Sequence, residues 1–276
     1  MRYSFYDNAE YTINDDLYYI RLYPEYDEEE SLRDDIKFTY ESADSPEMSK
    51  LFDFWEIKNA MGTGGELNRL IKLRRYAAEM LGFPGISLTY RKYDGLNCYD
   101  TVKTAKKEGH SLNCRYMSLI FTQMLLSAGF RARWVACLPM ELNYSECHCV
   151  TEVFVEELGK WIIVDSALDL VYFNKKGELL NLYDIRQMIL RGDKIRIMAS
   201  RGNTDTLDVE EYWTRHVFRF KFLLDNGFDM LNRKDKTYVF LNPKNFVVSD
   251  KIINHADGKT TKIINVCNDR YFWEET

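Results

Sequence analysis

The chain has 276 residues, 46% of them hydrophobic and 14% aromatic, enough apolar surface to bury a large core and to exclude a disordered or fibrous class. Its net charge of −6 is uneven: residues 1–60 carry 16 Asp and Glu against 6 Lys and Arg, whereas residues 61–276 carry 27 against 31. Neither part holds the concentrated basic stripe that phosphate neutralisation requires, so no nucleic-acid partner is expected.

Residues 11–23 (YTINDDLYYIRLY) and 36–40 (IKFTY) are rich in Tyr, Ile and Thr and read as strands or extended segments. Pro46 after Ser45 opens a short helix, since proline suits the first helical position. From Glu66 to Leu81 apolar residues recur with a helical period, and Gly82 with Pro84 marks its end. A further short helix spans about 100–108 and leads to Gly109. From Cys114 to Ala128 apolar side chains lie on nearly every face, which predicts a buried helix closed by Gly129. RARWVACL, CVTEVFVEE and KWIIVDSAL then read as three antiparallel strands packed on it. After a mixed segment, LYDIRQMILRGD, strand-like runs return as HVFRFKFLL, KTYVFLNP, NFVVS and TKIINVC. Helices followed by a predominantly antiparallel sheet predict an α+β fold.

No run reaches the roughly 18 uncharged apolar residues of a membrane span, and the first residues lack the apolar stretch of an export signal. A soluble, cytoplasmic chain with no membrane partner is therefore expected, its six cysteines (Cys98, Cys114, Cys137, Cys147, Cys149 and Cys267) reduced.

Cys114 is where chemistry is expected. With Ser111 or Asn113 as N-cap, it falls in the first helical turn, where unpaired N–H groups and the positive end of the helix dipole favour a thiolate. The same N–H groups suit an oxyanion formed on a carbonyl that the sulfur attacks. A base must come from His110, His148, His216 or His255. If Glu156–Gly159 is a four-residue hairpin loop with Gly159 left-handed, Val155 faces Lys160 and paired positions sum to 315. His148 then lies diagonal to Asp165 on one face, about 7 Å apart between backbones. Asp169 is the rival partner in another register, and His216 and His255 stay unassigned. A zinc site built from Cys147 and Cys149 with Cys137 or His110 is disfavoured. Alternation turns 147 and 149 away from the face of His148, and paired CxxC knuckles are missing. Core packing is the reading for both.

The wording around these residues, NCRYMSLIFTQMLLSAGFRARWV, then HCVTEVFV, then GKWIIVDS, resembles the transglutaminase-like superfamily of papain-like thiol enzymes. The likeness covers about residues 95–170. It implies a papain-like core with a nucleophile-bearing buried helix on an antiparallel sheet. Cys114 would be the nucleophile, His148 the base and Asp165 the orienting acid. Residues 61–276 would form the catalytic domain, with C-terminal strands in 213–276, and residues 1–60 an acidic extension packed on it. The chain departs from the family pattern at Asn113 (usually Gly near that place), Val150 (commonly aromatic) and Ser166 (Pro). The upstream oxyanion donor is open among Asn97, Tyr99 and Asn113.

The expected function is a cysteine-dependent hydrolase acting on an amide or peptide bond of a peptide or protein substrate, through an acyl-enzyme on Cys114, with no cofactor and no metal. The alternatives are a protein-glutamine acyltransferase and a non-catalytic scaffold that keeps the fold. Hydrolysis is preferred because no amine tunnel is visible in the sequence. Peptide N-glycanases share the core but carry CxxC zinc pairs that this chain lacks.

Overall fold

The computed structural model describes residues 13–81, 93, 95–144, 146–199 and 207–274. The export-signal reading of the first residues and the helix stop at Gly82 and Pro84 lie outside these. In chain order the elements are α1 (Ile13–Leu22), β1 (Thr39–Tyr40), α2 (Pro46–Phe54), α3 (Ile57–Met61), α4 (Glu66–Leu81), α5 (Cys98–Glu108) and α6 (Cys114–Ser127). Next come β2 (Arg131–Leu138), β3 (His148–Val155), β4 (Lys160–Asp165), β5 (Leu170–Phe173), α7 (Leu182–Arg191), β6 (Arg196–Ala199) and α8 (Val209–Thr214). The chain ends with β7 (Arg219–Leu223), β8 (Asp225–Asn226), β9 (Asp235–Leu241), β10 (Lys251–Asn254), β11 (Thr260–Val266) and α9 (Arg270–Trp273).

Among the described residues, nine strands form one sheet in the order β10-β11-β9-β7-β2-β3-β4-β5-β6. Every pairing in it is antiparallel except β9 with β11. One face packs on helices α2 to α6, through residues such as Leu51, Leu73, Met117, Phe121, Val153 and Val164. The other packs on α1, α7, α8 and α9, through Ile20, Ile185, Trp213, Phe272, Val135 and Val150. The fold is α+β.

Helix α6 lies at the centre, buried from Tyr116 to Ser127. Each of its Leu, Ile, Phe and Met side chains contributes roughly 1.5–3 kcal/mol by leaving water. Polar contacts fix where along β3 it sits. Thr122 and Thr151 hydroxyls lie 3.0 Å apart, and Thr151 donates to the Ser118 carbonyl at 3.1 Å. Asn113 is the N-cap, its side chain accepting the Tyr116 N–H at 3.2 Å.

The hairpin register is the expected one, with Val155 opposite Lys160 and Thr151 opposite Val164. Gly159 has φ +60°, a conformation that its missing Cβ makes inexpensive.

Two expectations fail. Residues 13–22 form a helix, not an extended segment: Asp15 and Asp16 sit in its first turn, where they complement the dipole, and Ile20 is buried against the α7–α8 side. Tyrosine content suggested a strand, and tertiary packing overrode that propensity. NFVVS is likewise not a strand. Asn245 takes φ +69° and turns the chain, Phe246 stacks edge-on to Tyr23 and Phe218, and Val247 is 91% exposed.

Candidate active site

The site forms where the leading end of α6 meets the first residues of β3. Cys114 is half-buried, and its sulfur lies 3.9 Å from the carbonyl oxygen of Cys147, against the peptide that joins Cys147 to His148. By position its own N–H precedes the first helical bond and points out of the helix's leading end.

His148 is buried, and its Nε2–H donates to Asp165 Oδ2 at 2.6 Å. The other ring nitrogen is Nδ1, and the ring and the Cys114 thiol influence each other's charge. Asp165 is held from every side: Oδ1 accepts the N–H groups of Ala167 and Leu168 at 3.0 and 2.9 Å, and Oδ2 also accepts the Tyr172 hydroxyl at 3.0 Å. Asp169, the rival in the sequence, is committed elsewhere. It adopts φ +54° in the β4–β5 turn and pairs with the buried Arg74 of α4 at 3.1 Å.

Burial alone would pull the His148 ring down, but the charge and hydrogen bond of Asp165, helped by Cys114, raise it to about 10. The thiol responds in the opposite sense. A hydrogen bond from the Cys149 side chain outweighs burial, and together with His148 it holds Cys114 well below the usual thiol range. Burial pushes Cys98 up to about 12 and Cys267 to about 11, so a depressed thiol is not the general condition of cysteines in this fold.

Four surrounding groups had no signal in the sequence. The α8 segment lays Tyr212, Trp213 and His216 against the His148 ring, at centroid distances of 5.1, 5.8 and 5.9 Å. His216 donates from Nδ1 to the Tyr212 carbonyl at 2.7 Å, and its Nε2 lies 3.8 Å from Glu146 Oε1. Burial and the nearby His148 charge pull His216 down to about 3, so it stays neutral beside a charged ring. Cys149 is the fourth. Its side chain does face away from that of His148, as alternation requires, but the face it uses is the one on which Cys114 arrives. Cys114 and Cys147 both pack against the buried cluster to which it belongs.

The three candidates for an upstream oxyanion donor have other tasks. Asn97 caps α5 through Asp100, Tyr99 stacks with Phe54 and Trp55, and Asn113 caps α6. His110 lies 3.5 Å from Glu108, and His255 is bonded to Thr261. A cavity of about 440 Å³ opens beside the first turns of α6, with Tyr93, Arg115, Tyr116, Leu119, Met230 and Lys236 in its wall. No group of three or more His, Cys, Asp or Glu side chains among the described residues is arranged to hold a metal ion, and no described helix is long and apolar enough to cross a membrane.

Residues 63–166 match the family model described as "Transglutaminase-like superfamily". That segment is a transglutaminase-like core. It runs from just before α4 to the end of β4, and so contains Cys114, His148 and Asp165. Members of the superfamily are typically thiol enzymes. A solved structure of a "putative cysteine protease" from Cytophaga hutchinsonii is similar at 15% identity, over 66% of this chain and 57% of that one, with a TM-score of 0.35. The chain thus spans less than two thirds of that protein's length, and so distant a likeness adds nothing to the assignment of the core. No curated protein matches the chain.

Proposed function

We propose that this protein is a cysteine-dependent hydrolase that cleaves an amide or peptide bond through an acyl-enzyme on Cys114. The observation that carries the reading is the 2.6 Å hydrogen bond from His148 to Asp165 at the start of β3, with the Cys114 thiol, at the leading end of a buried helix, resting against the peptide that precedes His148. In the resting state the pair is thiolate and imidazolium. The sulfur attacks the substrate carbonyl, and the resulting oxyanion lies near the Cys114 N–H. As the carbon–nitrogen bond breaks, Nδ1–H of His148 gives its proton to the departing amine. The neutral ring then takes a proton from water, which attacks the thioester and restores the thiol. Asp165 keeps Nε2 protonated throughout and stabilises the imidazolium.

The test is site-resolved alkylation with iodoacetamide, read by peptide mass spectrometry because Cys147 is also half-buried and lies close by. Cys114 is expected to label at pH 6–7, well below an ordinary thiol of pKa about 8.5. His148→Ala is expected to remove that advantage, and Cys114→Ala to prevent trapping of an acyl-enzyme by an activated ester. Labelling of Cys114 no faster than in the urea-unfolded chain at every pH would end the proposal.

A further inference from the structure

The transglutaminase-like site contains a sulfur that the hydrolytic cycle does not use. Cys149 is 1% exposed, stands on β3 next to His148 but on the opposite face, and belongs to a buried cluster against which Cys114 and Cys147 pack. Its charge is linked to that of both, so Cys149 is the sulfur that the outer two share as a partner. Only the outer two are half-buried and within reach of solvent. Cys147 and Cys149 are two apart on one edge of an extended strand, about 6.6 Å between Cα atoms, close to the upper limit for a disulfide. Cys114 comes from another element, and no such spacing constrains it.

We propose that Cys149 is the resolving thiol of an oxidative modification site centred on Cys114, with hydrogen peroxide or an organic peroxide as the oxidant. The thiolate of Cys114 attacks the peroxide oxygen and becomes a sulfenic acid, while the O–O bond breaks and one water (or alcohol) leaves. The Cys149 thiol then attacks the sulfenic sulfur, the S–O bond breaks, and a second water leaves as the Cys114–Cys149 disulfide forms. Two electrons pass from the two sulfurs to one peroxide. The disulfide blocks acylation, and reduction by a dithiol restores the nucleophile. Because Cys149 is buried in the cluster on which the reacting sulfur packs, the second step outruns further oxidation of the sulfenic acid, which would be irreversible.

The inference rests on the reactivity proposed for Cys114, and the experiment separates the two. The full-length protein is treated with hydrogen peroxide at pH 7, and intact mass, disulfide-linked peptides and iodoacetamide labelling of Cys114 are followed before and after dithiothreitol. The expected product is lighter by about 2 Da, links Cys114 to Cys149, and regains labelling of Cys114 after reduction. In Cys149→Ala and Cys149→Ser, two variants used together so that one poorly folded protein does not decide the matter, Cys114 is expected to gain about 32 or 48 Da as sulfinic or sulfonic acid, with no recovery. A circular dichroism spectrum and melting curve check that each is folded. If Cys114 labels rapidly yet is over-oxidised in the wild type as fast as in the variants, or links to Cys147, the resolving role is overturned while the hydrolase reading stands. If Cys114 neither labels nor oxidises, both fall.

Discussion

Strand β3 carries two different chemistries on its two faces within two residues. His148 turns toward α8 and meets a carboxylate with four hydrogen-bond donors, a neutral imidazole and two large aromatic rings. Cys149 turns toward α6 and meets sulfur and apolar side chains, with Lys221 on the same face across Ala136. The first face is rigid and electrostatically specified, because a charge in a dry environment persists only with its partner in place. The second is mostly apolar, and through Cys149 it is the largest influence that lowers the Cys114 thiol. Cys114 touches both because its sulfur rests on the peptide between residues 147 and 148. Charge on the nucleophile should therefore depend on both faces, and its fate under oxidation on the Cys149 face.

The sharpest way to break this contrast is Asp165→Asn, which keeps the shape but leaves the imidazolium unpaired. It should cost about 3–5 kcal/mol of stability in urea unfolding and lower the labelling rate of Cys114 at pH 7 by about tenfold or more, one or more units of thiol pKa. A loss below about 1 kcal/mol would mean that the carboxylate does not hold the charge.

The pH profile comes next. An ordinary thiol labels about ten times faster per unit of pH up to about 8.5, whereas Cys114, with its lowered pKa, should label at a nearly constant rate from pH 6.5 to 9. The ring of His148 titrates near 10 folded against 6.5 unfolded, so the stability it adds is complete below pH 6.5 and is lost as pH rises toward 10. Urea unfolding at pH 6.5 and pH 10 should show that loss, and His148→Ala should show less of it. A labelling rate that climbs steeply between pH 7 and 9 would place the charge elsewhere.

Tyr172→Phe removes one of the four donors to Asp165 and should cost about 0.5–1.5 kcal/mol, with a modest fall in labelling. Cys149→Ala should also lower the labelling rate of Cys114 at pH 7, because Cys149 is the largest influence that lowers the thiol. An unchanged rate would leave control of the thiolate to the His148 face alone. The smallest effect is expected from Asn113→Ala, which deletes the cap of α6 at about 1 kcal/mol without touching either face, measured by thermal melting.

Much of this was legible before any coordinates. The apolar run from Cys114 to Ala128 predicts a buried helix, Pro46 the start of α2 and Ser111 or Asn113 the cap of α6, of which the structure uses Asn113, and Gly159 sets a hairpin whose register brings His148 to Asp165. Such features depend on neighbours a few residues away, so the order of residue types determines them. The tyrosine-rich segment at residues 13–22 was misread because a short amphipathic stretch takes the form that its packing partners favour, and those partners, α7 and α8, lie more than 150 residues along the chain. The same is true of Tyr172, Tyr212, Trp213 and His216, which surround the imidazole without any pattern that relates them in sequence. Alternation correctly turned Cys149 away from His148, yet which helix waits on that other face is decided by how α6 packs across the sheet. Local stereochemistry specified the residues that carry the proposed chemistry, and long-range burial selected the groups that tune them.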